Sequence, residues 1–86
     1  FMANVRVAYT ITVKTVDGKE WSFDKERTLY EQDSTNPENL RNILEREFRK
    51  IDKIALQRQL EQEITDMTFK VVNVIELQSA GDDDQM

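Results

Sequence analysis

The chain has 86 residues, 38% hydrophobic and 34% charged, which is enough for one small domain and too apolar for a chain that stays unfolded throughout. Its formal net charge of −5 argues against general affinity for nucleic acid or an anionic membrane, because the net field repels phosphates. Cysteine and histidine are absent, which excludes a disulfide framework, a thiolate nucleophile, a cysteine–zinc site, a histidine base and the commonest metal ligand.

Phe1 ahead of Met2 reads as a cloning remnant and is set aside. From Val5 to Val16 the residues alternate: Val5, Val7, Tyr9, Ile11 and Val13 share one face, and Arg6, Thr10, Thr12 and Lys14 the other, with small Ala8 among them. That is the pattern of a half-buried strand. Asp17-Gly18 then marks a hairpin. A two-residue loop would set Val13 opposite Ser22 and turn Trp21 and Phe23 to the polar face. A three-residue loop, Val16-Asp17-Gly18, pairs Val13 with Trp21, Ile11 with Phe23 and Lys14 with Glu20, and puts glycine where a left-handed residue closes the turn. The three-residue loop is expected, because a slip of one residue would expose both aromatics.

The second strand weakens after Phe23. Asp24-Lys25-Glu26-Arg27 is wholly charged, and the register puts Lys25 and Arg27 on the apolar face, so a bulge or the end of the core is expected there. Their aliphatic stems can lie along Tyr9 and Val7. Leu29 and Tyr30 resume apolar character before a polar connection from Glu31 to Asn36.

Asn36 to Met67 reads as one long helix, or two joined near Ala55. Asn36 caps it with Pro37 at the first helical position, or Thr35 caps it with Glu38 completing a capping box. Leu40, Ile43, Leu44, Phe48, Ile51, Ile54 and Ala55 form one apolar stripe. Leu56, Leu60, Ile64 and Met67 form a second, roughly opposite the first at about 100° per residue. No glycine or proline marks the switch.

The third strand is expected over Thr68–Gln78, with Phe69, Val71, Ile75 and Leu77 on one face and Val72 and Val74 on the other. Residues 79–86, with Asp82-Asp83-Asp84, read as a disordered acidic tail that follows a single domain over residues 1–78. The β-β-α-β order predicts a two-layer α+β domain, a three-stranded antiparallel sheet in the order 2-1-3 with one long helix packed on one face.

In that arrangement two apolar features lack a partner. One is the second helical stripe, Leu56, Leu60, Ile64 and Met67; the other is Val72 and Val74 beside the free edge of the third strand. A homodimer would cover both; a helix broken near Ala55 would instead fold its second half back onto the same core. Arg46, Arg49, Lys50 and Lys53 make a basic stripe opposite the first apolar face, either a solvated surface or a phosphate-contacting one. Glu20, Asp24 and Glu26 read as ordinary outward-facing strand charge, and Trp21 as core. With only Gly18 and Gly81, no phosphate-cradling loop of a standard form can be built. No catalytic, metal or cofactor site is therefore expected, nor any membrane span.

In size and composition the chain resembles the small acidic accessory and inhibitor proteins of bacteriophages; the resemblance covers no motif and transfers no residue, but it implies a host or viral enzyme as target. The functional expectation is a cytoplasmic, non-catalytic protein-binding module, homodimeric or acting on another protein. The alternative is a nucleic-acid binder using the basic stripe.

Overall fold

The structure, a computed structural model, describes residues 2–77. The acidic tail expected over residues 79–86 lies outside the described residues. The elements are β1 (Ala3–Thr15), β2 (Glu20–Gln32), α1 (Pro37–Leu60) and β3 (Ile64–Leu77). The sheet is antiparallel, in the order β2-β1-β3, with α1 packed on one face and closest to β3. Both the α+β class and the strand order expected from the sequence are present.

The hairpin has the expected register: Ile11 faces Phe23, Val13 faces Trp21 and Lys14 faces Glu20. Gly18 N–H donates to the Thr15 carbonyl and Thr15 N–H to the Lys19 carbonyl, both at 2.9 Å, which closes a three-residue loop. Gly18 sits at φ +84°, where a β-carbon would be strained. The Asp17 carboxylate accepts from the Thr15 hydroxyl and the Lys19 N–H. Those two bonds hold its pKa below the usual carboxylate range.

Beneath the helix lie Val5, Val7, Tyr9, Ile11 and Val13 of β1, together with Leu29, Met67 and Phe69 from the flanking strands. Tyr9 and Phe69 stack with ring centroids 5.7 Å apart. Asn36 is the N-cap: its side-chain oxygen accepts from Glu38 N–H at 2.9 Å and Asn39 N–H at 3.4 Å, with Pro37 following.

The helix is shorter than the sequence suggests. It ends at Leu60, and Glu61 turns into the left-handed region at φ 54°, ψ 38°. Gln57 Oε1 accepts from Ile64 N–H at 2.9 Å, and Val16 N–H donates to the Glu63 carbonyl at 2.9 Å, so side chain and hairpin together fasten the turn. β3 therefore begins at Ile64 rather than Thr68. Ile64 and Met67 are strand residues.

Two bulges explain why β3 imitates helical spacing. Asp66 pairs with Lys14 but Ile64 with Thr15, which leaves Thr65 as an extra residue. The bulge turns Ile64 and Met67, three apart, to the same face; in a regular strand they would point to opposite faces. The second lies where Asn73 pairs with Ala8 but Val71 with Tyr9, which leaves Val72 extra. It corrects the expected facing of β3. Val71 and Val74 both pack against the core, and Ile75 lies on the open face opposite Arg6.

The two helical stripes are the ends of one ridge. Leu40, Leu44, Phe48, Asp52, Leu56 and Leu60 recur every fourth residue and are buried or half-buried. Each step of four turns the ridge by about 40°, so it crosses the helix obliquely over a twisted sheet. Ile51 and Ile54 stay on the line of Leu40 and Ile43, which has left the sheet by then; they are 56% and 43% exposed.

Candidate interaction surface

The six residues expected to form an interface do not share a free surface. Leu56, Ile64 and Met67 belong to the monomer's own core, and Leu60 and Val74 are half-buried against it. The expectation of an exposed second helical stripe is thus corrected: the chain turns back at Glu61 and buries the stripe under its own helix. Of the six, only Val72 is largely exposed, at 64%.

α1 covers a single face of the sheet, which leaves three surfaces. The open face carries Arg6, Ala8, Thr10, Thr12 and Lys14 of β1, with Ser22, Asp24 and Glu26 beside them on β2. β3 adds Asp66, Thr68, Lys70 and Asn73 opposite them, and Val72 and Ile75, both exposed. Ala8 and Thr10 floor a trough of about 410 Å³ on this face, walled by Asp24 and Glu26 on one side and Val72 on the other. Asp24 accepts from the Thr10 hydroxyl at 3.0 Å, and Arg6 stands 3.8 Å from Glu26.

The second surface is the outer edge of β2. Trp21 faces the helix side, as the register demands, but it is 37% exposed because α1 sits toward β3. Its indole N–H donates to Thr15 Oγ1 at 3.3 Å. The expectation that Trp21 is core is met in facing and not in burial. The third surface is the flank of α1 with Ile51 and Ile54.

Two of the four residues of the basic stripe are engaged by the chain itself. Arg46 pairs with Glu47 at 3.0 Å, and Arg49 stands 3.7 Å from Glu45 while donating to the Met67 carbonyl at 2.9 Å. Lys50 and Lys53 make no ion pair among the described residues. They line a shallow depression of about 620 Å³ with Ile54, Gln57, Glu61 and Glu63. The two glutamates offset the two lysines, so the depression has no strong net field for an anion.

A buried polar cluster lies beneath the helix, and sequence reasoning missed its centre. Asp52 accepts from Tyr9 OH at 3.0 Å and from Arg27 Nη2 at 3.2 Å. Arg27 also donates to Tyr9 OH at 3.4 Å and lies 4.1 Å above the Phe48 ring. Arg27 thus faces the apolar side of β2 as its register requires, but its head turns inward to an acid instead of out to water. Burial pushes the Tyr9 hydroxyl above its ordinary pKa; the Arg27 hydrogen bond opposes the rise and Asp52 adds to it. Two signals in the chain point to this cluster. An inward-facing arginine needs a buried anion, and Asp52 occupies the four-residue step between Phe48 and Leu56. The cluster is closed by its own partners: no buried side-chain polar atom among the described residues lacks a hydrogen bond. It fixes the helix on the sheet and presents no free group for chemistry.

Among the described residues no group of three acidic side chains comes close enough to hold a metal ion. None of their helices is long and apolar enough to cross a membrane. Comparison of the chain with protein-family models, with curated proteins and with solved structures found no match.

Proposed function

We propose that this chain is a small non-catalytic interaction module that works by binding another protein through the side of the sheet the helix leaves uncovered. The observation that carries the reading is the placement of Val72 and Ile75. Both are exposed on the open face, beside the unpaired edge of β3. Large apolar residues rimmed by polar ones on an uncovered face are a common mark of protein contact surfaces. The cytoplasm is the compartment this reading assumes, consistent with a chain without cysteine.

The test compares cross-linked complexes captured from cell extract by the wild-type chain and by Val72→Lys and Ile75→Lys. The expected result is a discrete partner band lost in both variants, with circular dichroism and melting temperature unchanged. A complex that survives both substitutions would remove the open face from the reading. Fluorescence anisotropy with single- and double-stranded oligonucleotides at low salt tests the nucleic-acid alternative. Tight, steeply salt-dependent binding weakened by Lys50→Glu and Lys53→Glu would replace the present reading with that one.

A further inference from the structure

The two outer edges of the sheet differ. β3 carries bulges at Thr65 and Val72, which interrupt the flat row of backbone groups an added strand needs. β2 pairs with β1 without a register shift from Leu29 to Glu20. Over that stretch its outward backbone groups form an unbroken ladder edge, the register shift of β2 lying beyond it between Leu29 and Gln32, and α1, seated toward β3, does not cover it. Side chains along this edge alternate. Glu20, Ser22, Asp24 and Glu26 lie on the open face, with Trp21, Phe23 and Lys25 on the helix side. Glu20 and Asp24 make no ion pair among the described residues.

Over the stretch from Ser22 to Glu26 this charge pattern disfavours a second copy. Two β2 strands related by a two-fold axis normal to the sheet would set odd positions against odd and even against even. A register centred on Asp24 opposes Asp24 to itself. Centring on Phe23 sets Glu20 against Glu26, and centring on Ser22 sets Glu20 against Asp24. Centring on Lys25 opposes the two lysines and sets Asp24 against Glu26, and centring on Glu26 opposes the two Glu26 side chains. Like charges directly opposite one another are destabilising. An incoming strand with Lys or Arg at alternate positions meets Glu20, Asp24 and Glu26 with opposite charge. Its intervening residues meet Trp21 and Phe23, which calls for apolar side chains there.

We propose that the β2 edge takes up an extended segment of a partner protein in which basic and apolar residues alternate, added to the sheet as a fourth strand. The proposal rests on the interaction-module reading and names the partner's chemistry. The probe is the peptide Thr-Lys-Glu-Lys-Val-Thr-Val-Lys, which in antiparallel register sets its lysines opposite Glu26, Asp24 and Glu20. The control replaces each lysine with glutamate. Emission of Trp21, the chain's one tryptophan, reports the edge directly, and amide chemical shifts report which strand is touched.

The expected result is binding of the lysine peptide about ten-fold tighter than the glutamate peptide, with a blue shift of Trp21 and shifts along β2 rather than β3. Combining Glu20→Lys, Asp24→Lys and Glu26→Lys should invert the preference. A lysine peptide N-methylated at alternate residues, so that its edge-facing donors are lost, should not bind; this arm leaves the protein untouched. Equal binding of both peptides, no binding at millimolar peptide, binding unaffected by N-methylation, or shifts confined to β3 would overturn the proposal. If the peptide fails while a captured complex still depends on Ile75, the β2 assignment falls alone and the interaction-module reading stands.

Discussion

Asp52 brings a negative charge into a core made otherwise of Val, Ile, Leu, Tyr, Met and Phe, and Arg27 and Tyr9 together make that burial tolerable. Removing one partner of a buried pair leaves the other uncompensated, which generally costs more than the pair itself contributes. Arg27 keeps about a third of its side chain in solvent, so part of its charge can be rehydrated. Asp52→Ala is therefore expected to cost about 2–3 kcal/mol, and Tyr9→Phe, which leaves the ion pair in place, about 1 kcal/mol. Urea unfolding of the two variants checks the order; an Asp52→Ala cost no larger than that of Tyr9→Phe would mean the cluster does not hold the helix. Tyr9 also imposes a pH dependence. Its pKa is raised in the folded chain above the ordinary 10.0, so the folded state binds the proton more tightly than the unfolded state. The stability linked to this proton is fully present below pH 10 and is lost as pH rises through the folded pKa. Stability between pH 9 and 11.5 should fall less steeply in Tyr9→Phe than in the wild type.

At the level of elements, α1 and β3 are joined by a turn without glycine, and that turn decides which apolar residues are core. Leu56 lies on the oblique ridge and is fully buried; Ile51 and Ile54 lie off it. Leu56→Ala is expected to cost about 2–5 kcal/mol and Ile51→Ala or Ile54→Ala under about 1 kcal/mol. Equal costs would mean that the helix rests on the straight stripe instead. The left-handed conformation of Glu61 is the natural place for glycine after a helix. Glu61→Gly should stabilise the chain by about 0.5–1 kcal/mol, seen as a higher melting temperature, since the strain of a side chain at positive φ is relieved there.

The described residues form a narrow slab, 55 × 22 × 17 Å, with the helix on one side. With Leu56, Ile64 and Met67 internal, a dimer of projecting helices has no stripe to pair. Homodimerisation stays a proposal, and the surface open to it is the β3 edge with Val72 and Ile75. Light scattering across a concentration series distinguishes the two edges. Any mass above 10.2 kDa should return to that value in Ile75→Lys and be unaffected by Glu20→Lys. A dimer broken by a β2 substitution instead would contradict the like-charge argument made for that edge.

The sequence by itself determined the hairpin to the residue, because Val13, Trp21, Ile11 and Phe23 can share a face in only one register and Gly18 then occupies the left-handed position. It determined the class, the strand order and the vicinity of the helix cap for the same reason: period-2 and period-3.6 patterns are local. The tertiary structure alone decided where the helix stops, since the turn at Glu61 is held by Gln57 and by Val16, contacts that no local pattern encodes. It alone decided the facing of β3, because each bulge shifts the alternation by one residue and makes strand positions look helical. The pairing of Arg27 with Asp52 is of the same kind. The two lie 25 positions apart in the chain, and only the packing of helix on sheet brings an inward cation and a buried anion together.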